Sequence, residues 1–221
     1  FITIPPDSLR IAFWTTIARP IQGFMMHDWP ALADTGERGG YRFTNPETRP
    51  ALAELIHSVV QPLGPALLKI PDRPADVAFL ESFSSQMLAN RYSWGWDDND
   101  DYLTLQYAQL QTRIVYEESV MRDGLDPYKV LVLSQCDVLP RGVADQIHAF
   151  QRRGGIVIAD EASAPAVIPD IRLAPFPRTQ RADADKAAIL ARAAALRTEL
   201  DPFYSRYADS STPDVVVRTR Q

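Results

Sequence analysis

The sequence predicts an α/β fold in which helices cover both faces of a parallel β-sheet. Residues 129–133 and 156–159 are continuous apolar runs, without the alternation of a strand that has one solvated face. The amphipathic segment 141–153 lies between these runs, and a Gly-Gly pair at 154–155 provides its end. Apolar strands separated by helices are typical of parallel sheets buried on both sides.

The composition is that of a globular protein, and it excludes several classes of function. The chain has 221 residues and a net charge of −5, and its pI of 5.2 argues against a nucleic-acid partner. No apolar run approaches the roughly 20 residues that span a bilayer, so no membrane partner is expected. The single cysteine, Cys136, excludes an internal disulfide framework but leaves the cellular compartment undecided.

The first 70 residues predict a helix, a short strand, a long loop and a second helix. An amphipathic helix over 7–19 is followed by an apolar run, 21–26, that fits a buried strand. The Asn-Pro pair at 45–46 is a strong helix start, and the proline- and glycine-rich stretch 62–65 is expected to end that helix. This order indicates a parallel α/β pattern that lacks its beginning.

A proline-rich joint at 71–74 separates this part from a second group of elements. The predicted strands cover 77–80, 114–116, 129–133, 156–159 and 214–220. The predicted helices cover 101–111, 141–153 and 183–200, with a polar strand exit at 81–85 and an irregular segment at 162–178. The last strand has no partner after it, which indicates that a further domain begins there.

Cys136 is the first candidate for chemistry because it follows the run 129–133, at the sheet edge where α/β folds place their sites. A nucleophilic thiol needs a nearby base and a tight, glycine-flanked turn that presents the sulfur. The sequence around it, Ser-Gln-Cys-Asp, has no glycine, and His148 has no acidic partner at a supporting spacing. The pattern therefore favours a small buried side chain over a nucleophile.

The residue pattern gives little support to metal or carboxylate sites. His27, His57 and His148 are too far apart in sequence for a zinc site, and the acidic run 97–101 lacks the glycine and glutamate of a calcium loop. We expect that run to be a solvated helix cap, and we expect no metal and no cofactor. Paired carboxylates would suit glycosidic-bond cleavage, although capping is the commoner role. The acidic residues at predicted strand exits are Glu81, Glu117, Glu118, Asp160 and Glu161.

His27, Asp28 and Trp29 follow the predicted strand 21–26 and form the most suggestive polar and aromatic cluster. A tryptophan can stack on a sugar ring while its polar neighbours bind the hydroxyl groups. The same tryptophan can instead pack beneath the loop 30–44. The sequence leaves both interpretations open.

Several of these stretches resemble bacterial β-galactosidases of the thermophilic-type, retaining glycoside hydrolase family. Residues 9–19 (LRIAFWTTIAR) and 23–29 (GFMMHDW) resemble the last helix–strand step of a (β/α)₈ TIM barrel, and 45–70 resembles its closing helix. Residues 128–133 (YKVLVL) and 149–160 (AFQRRGGIVIAD) are similar to the flavodoxin-like (class I amidotransferase-like) trimerisation domain that follows the barrel. Pro20 and the His-Asp-Trp strand exit depart from the barrel pattern.

This resemblance implies three parts: the end of the barrel at 1–70, the flavodoxin-like domain at 75–200 and the first strand of a truncated β-domain at 212–221. It implies a non-catalytic portion of a multidomain retaining β-glycosidase, with Trp29, His27 and Asp28 at the rim of the sugar site. The family's catalytic glutamates lie on earlier barrel strands, so no catalytic residue is expected in this chain. The implied partners are the carbohydrate substrate of the parent enzyme and further copies of the chain.

Two alternatives stay open at this point. The chain is an independent amidotransferase-like α/β hydrolase if Cys136 acts as a nucleophile, which requires a reactive thiol. It is a structural, carbohydrate-associated module if its barrel relatives have lost catalysis.

Overall fold

The computed structural model describes residues 5–19, 21–23, 47–89, 99–179 and 181–221. The chain divides into two compact units. One unit, called the helical unit below, comprises Phe1–Arg73 together with Arg220–Gln221. The other, called the sheet unit, comprises Pro74–Thr219. The division falls within the proline-rich stretch 71–74.

The described part of the helical unit contains α1 (Pro6–Ile17), α2 (Thr48–Leu55) and α3 (Gln61–Leu67), with a π-helical turn at Ile56–Val60 between the last two. Pro6 stands in the first turn of α1 and Asp7 follows it, which suits the unpaired amides of a helix start. The apolar side chains of α1 pack against those of α2 and the π turn. The buried members of this core are Phe13, Ile17, Leu55 and Val59.

The proline- and glycine-rich stretch 62–65 does not end the second helix, so that prediction was wrong. The π turn directly precedes α3, and the amide of Gln61 donates to the carbonyl of Ile56, five residues back. Such a wide turn changes the hydrogen-bond register next to Pro62, which has no amide hydrogen to donate. The helix ends instead near Leu68, whose amide lies 3.0 Å from the carbonyl oxygen of Gly64.

Only residues 21–23 of the predicted strand 21–26 are described, and they do not form a strand. Residues 24–46 lie outside the described residues, and they include the rest of that strand and the predicted helix start at 45–46.

The sheet unit contains a parallel sheet with five strands among its described residues. The strands are β1 (Val77–Glu81), β2 (Thr112–Tyr116), β3 (Val130–Leu133), β4 (Ile156–Ala159) and β5 (Ile171–Arg172). Their order is β2-β1-β3-β4-β5, and each neighbouring pair is parallel. This is the flavodoxin-like order, and it confirms the predicted flavodoxin-like parallel sheet. The strands predicted at 77–80, 114–116, 129–133 and 156–159 are confirmed to within two residues.

Helices cover both faces of this sheet. They are α4 (Phe83–Leu88), α5 (Asn99–Tyr107), α6 (Glu117–Asp123), α7 (Arg141–Arg152) and α8 (Ala182–Leu200). One core joins Val77, Phe79, Val130, Val132 and Ile158 to residues of α5 and α8. The other core joins Ala78, Leu80, Leu131, Leu133 and Val157 to residues of α6 and α7. Successive strand residues thus alternate between two apolar layers, which explains why β3 and β4 are apolar throughout and β1 is apolar up to its last residue, Glu81.

Three short elements were not predicted from the sequence. α4 occupies the segment expected to be a polar strand exit, α6 begins directly after β2, and β5 lies in the segment expected to be irregular. Ser82 caps α4, since its hydroxyl accepts a hydrogen bond from the amide of Ser85 at 3.0 Å. β5 has two residues and depends on pairing with β4, so the local sequence carries little sign of it.

The predicted strand at 214–220 is not formed as an ordinary sheet strand. The segment 215–219 lies along two glutamine side chains: the amide of Val217 is 2.9 Å from Oε1 of Gln109, and that of Thr219 is 2.9 Å from Oε1 of Gln111. These carboxamides bind backbone groups that a neighbouring strand would otherwise pair. Arg220 makes one isolated antiparallel bridge with Asp72, inside the helical unit.

Candidate functional site

The carboxyl edge of the sheet is the position at which a flavodoxin-like fold carries its site. In this strand order the crevice lies between the carboxyl ends of β1 and β3. The chain continues from β1 to β2 on one side of this point and from β3 to β4 on the other. The residues that follow these strands are Ser82 and Ser134, and Glu117 and Asp160 follow β2 and β4.

The residue with a left-handed backbone in the turn after β3 is a glutamine. Gln135 has a φ of 53°, in the left-handed region that side chains other than glycine adopt at a cost of about 1–3 kcal/mol. Its amide donates to Oδ2 of Asp160 at 2.7 Å, which helps to hold the turn. A carboxamide is no nucleophile, so the residue with the positive φ cannot supply the group that the hydrolase mechanism needs.

Cys136, one residue further on, is fully buried. Its sulfur lies 3.3 Å from the carbonyl oxygen of Ser134 and 3.8 Å from that of Leu80, and it belongs to the apolar core beneath the sheet edge. His148 is engaged elsewhere, with Nε2 donating to the carbonyl oxygen of Ala166 at 2.8 Å. The geometry agrees with the packing role expected for Cys136 and provides no presented thiol.

A buried cluster of serines and a glutamate fills the edge next to β1. The Ser82 hydroxyl donates to Oε1 of Glu117 at 2.6 Å, and the Ser84 hydroxyl donates to Oε2 of the same carboxylate at 2.8 Å. The Ser85 hydroxyl donates to the carbonyl oxygen of Val138 at 2.6 Å and accepts from the Val138 amide at 3.0 Å. The cluster ties the start of α4 to the loop after β3 and satisfies its own polar groups.

The Asp160 carboxylate binds backbone amides of two loops at the same edge of the sheet. It accepts from the amide of Gln135 at 2.7 Å and from the amide of Ala162 at 3.0 Å. Nη1 of Arg172 donates to the Asp160 carbonyl oxygen at 2.8 Å. Glu117 and Asp160 therefore both bind donors on a neighbouring segment: Glu117 caps the start of α4 through the Ser84 amide, and Asp160 holds the turn at Gln135.

Part of the acidic run 97–101 forms ion pairs in the first turn of α5. Oδ1 and Oδ2 of Asp100 each lie 2.6 Å from a guanidinium nitrogen of Arg178. Asp101 is buried, and it accepts from the Ser134 hydroxyl at 2.6 Å and from Nη1 of Arg192 at 2.5 Å. For these two residues the expectation of a solvated cap was wrong, because their carboxylates cross-link α5 to other elements. Residues 97 and 98 lie outside the described residues.

The sugar-rim residues predicted from the sequence, His27, Asp28 and Trp29, also lie outside the described residues. Of the other histidines, His57 pairs through Nδ1 with Oε1 of Gln61 at 3.0 Å. Within the described ranges, no group of three or more histidine, cysteine or acidic side chains could hold a metal ion. None of the helices in those ranges is long and apolar enough to cross a membrane.

The helical unit contains a partly open cavity of about 270 Å³. Its walls are mainly apolar and include Val59 and Leu67, and the charged residues that line it are Arg19, Asp72 and Arg220. Gly23 also lies at this cavity, directly before the residues that the structure does not describe.

Sequence reasoning missed Gln135 and the serine cluster. The run Ser-Phe-Ser-Ser after β1 was a usable signal, since Ser82 and Ser85 have the spacing of a helix cap and its third residue. Nothing in the local sequence marks Gln135, because its left-handed backbone depends on Asp160, which lies 25 residues further along the chain.

No protein-family model matches the chain, and no curated protein matches it. Among solved structures it is similar to part of a β-galactosidase from the psychrophilic Marinomonas ef1, with 16% identity, a TM-score of 0.48, and coverage of 75% of this chain and 27% of that one. A β-galactosidase from Bacillus circulans sp. alkalophilus gives 21% identity, a TM-score of 0.40, and coverage of 54% and 18% respectively. The chain thus spans about a quarter or less of the length of these enzymes.

A putative sugar-phosphate isomerase from Listeria monocytogenes is similar over 69% of this chain and 92% of its own, at 12% identity and a TM-score of 0.32.

Proposed function

We propose that this chain is a non-catalytic portion of a multidomain retaining β-glycosidase that acts on galactosides or related sugars. In this proposal the sheet unit mediates contacts between copies of the protein, and His27, Asp28 and Trp29 form part of the rim of the sugar site. Catalysis belongs to carboxylates that lie outside this chain.

One observation carries the non-catalytic assignment: the turn that would present a nucleophile holds Gln135, and the adjacent thiol of Cys136 is fully buried. The polar groups around that turn bind one another, as Glu117 does with Ser82 and Ser84. Because the polar side chains at this sheet edge bind one another, they support a structural role for the edge over a catalytic one.

The glycosidase assignment rests on the sequence. The stretches 9–19 and 23–29 resemble a barrel end, and 128–133 and 149–160 resemble the flavodoxin-like domain that follows it. The strand order of the sheet unit is compatible with that domain, because a flavodoxin-like sheet is what the resemblance implies.

Thiol labelling separates this proposal from the amidotransferase-like alternative. We expect Cys136 in the native chain to react with an alkylating agent at least about a hundredfold more slowly than in denaturant, because labelling requires the core to open. Fast native labelling would overturn the non-catalytic assignment. So would hydrolysis of a chromogenic glycoside or of glutamine by the purified chain.

The sugar rim is tested in the full-length parent protein with two tryptophan variants. Trp29→Ala should lower kcat/KM for a chromogenic β-galactoside about tenfold, the loss expected for a stacking contact. Trp14→Ala is the matched control because Trp14 is an exposed residue of α1. An equal effect of both variants would overturn the rim assignment, and a parent that hydrolyses no β-glycoside would overturn the glycosidase assignment.

The oligomer contact is tested by sedimentation velocity of the chain over a range of concentrations. Association should increase with concentration. A chain that stays monomeric throughout would contradict the proposed role of the sheet unit.

A further inference from the structure

The guanidinium of Arg220 lies between the carboxyl ends of two helices of the helical unit. On one side Nη2 lies 2.8 Å from the carbonyl oxygen of Arg19 and 3.3 Å from each of the carbonyl oxygens of Ile17 and Ala18, at the end of α1. On the other side Nη1 lies 2.7 Å from the carbonyl oxygen of Leu67, the last residue of α3.

These acceptors lie at helix ends, and two of them also accept a backbone amide: the carbonyl oxygen of Arg19 lies 2.8 Å from the Ile21 amide and that of Leu67 lies 3.3 Å from the Ile70 amide. The last four carbonyls of a helix have no intrahelical donor, and they carry the negative end of its dipole. The structure gives neither α1 nor α3 a basic residue in its last turn. Arg220, which is more than 200 residues from α1 and about 150 from α3 in sequence, places a guanidinium at both of these ends.

The neighbouring backbone fixes the guanidinium in this position. The Gln221 amide donates to the carbonyl oxygen of Pro71 at 2.9 Å, and Arg220 forms a backbone bridge with Asp72. The Arg220 side chain is only 15% exposed, and its Nε lies 3.9 Å from the Asp72 carboxylate. In a planar guanidinium held in this way, separate nitrogens contact the two helix ends, Nη2 at α1 and Nη1 at α3, whereas the three donors of an ammonium share one nitrogen.

We infer that Arg220 is a clasp for the helical unit: it holds the ends of α1 and α3 together, and those ends stay ordered only while residues 220–221 occupy their place. The helical unit is then discontinuous in sequence, because residues 220–221 complete it from a distant part of the chain. This inference is independent of any glycosidase activity.

Hydrogen exchange measured peptide by peptide tests the clasp in the whole chain. Arg220→Ala should raise exchange about tenfold or more at the carboxyl ends of α1 and α3, with β1 and β3 unchanged. Arg49→Ala is the matched control, since it removes an exposed arginine from α2 in the same unit. Exchange in Arg220→Ala that equals that of the control would overturn the inference.

Arg220→Lys decides the case if Arg220→Ala unfolds the chain. Lysine keeps the charge but carries its donors on a single nitrogen. At least one of the two helix ends should therefore lose its protection from hydrogen exchange. Full protection of both ends in Arg220→Lys would show that charge alone suffices, and the clasp would be refuted.

Discussion

Arg192→Met is expected to destabilise the sheet unit by about 3–5 kcal/mol, because it leaves the buried carboxylate of Asp101 without a counter-ion. Nη1 of Arg192 lies 2.5 Å from Oδ1 of Asp101, and the two side chains are only 6% and 12% exposed. Methionine fills a similar volume, so the loss of packing is small. The remaining partner of the carboxylate is the Ser134 hydroxyl, which leaves the charge without a counter-ion.

The double variant Asp101→Asn/Arg192→Met measures how much of this loss comes from the unpaired charge of Asp101. The amide keeps the shape of the aspartate and can still accept from Ser134, while the uncompensated charge is gone. We therefore expect it to be more stable than Arg192→Met alone by at least about 1 kcal/mol, an interaction that a double-mutant cycle measures directly.

Urea denaturation followed by far-UV circular dichroism provides the assay. A cost of this size lowers the urea midpoint with an unchanged slope, and it lowers the melting temperature by roughly 10 °C. The control is Arg122→Met, which breaks an exposed pair with Asp123 and should leave the midpoint unchanged. A midpoint for Arg192→Met within error of the control, or a double variant that is simply additive, would refute the reasoning.

Two further predictions concern packing and pH. In Gly155→Ala the added Cβ would lie 2.4 Å from ring atoms of Phe150, a fully buried side chain, so thermal unfolding should show a loss of about 1–3 kcal/mol. The hydrogen bond and charge of Lys186 lower the pKa of Asp214, so this pair stabilises the fold above the ordinary carboxyl pKa of about 4 and loses its effect as pH falls through the lower folded value. The stability difference between wild type and Asp214→Asn, measured by urea titration, should therefore be present at neutral pH and vanish in acid.

A specific result would contradict each of these two predictions. Gly142→Ala is the matched control for the first, because its Cβ would meet only the flexible end of Met121, and an equal loss in both variants would contradict the packing argument. For the second, a difference that grows as the pH falls would have the wrong sign for a lowered carboxyl pKa.

The strands of the central sheet were predictable because their signal is local. Residues 77–80 of β1 and all residues of β3 and β4 are apolar, and a sheet with helices on both sides favours that pattern. Gly154 ends α7 in the left-handed backbone that glycine adopts readily, at a φ of 90°, so the position of that helix end was also predictable.

The sheet-edge cluster was not predictable because its members are distant in sequence. Ser82 reaches Glu117 over 35 residues, and Arg192 reaches Asp101 over 91. A serine or an acidic residue after a strand is compatible with a cap, an ion pair or a catalytic group. The side chain that comes to lie opposite decides among these roles.

The sequence by itself determined the class of fold, since the spacing of apolar side chains is a property of each segment and needs no partner. It also carried the resemblance from which the proposed function derives. Only the tertiary structure decided which groups meet at the sheet edge: Gln135 takes the positive φ after β3, Glu117 accepts from Ser82, and Asp160 accepts from the amide of Gln135. It likewise placed Arg220 at two helix ends far from it in the chain. Burial and pairing of polar groups depend on which segments meet, and that information exists only once the chain has folded.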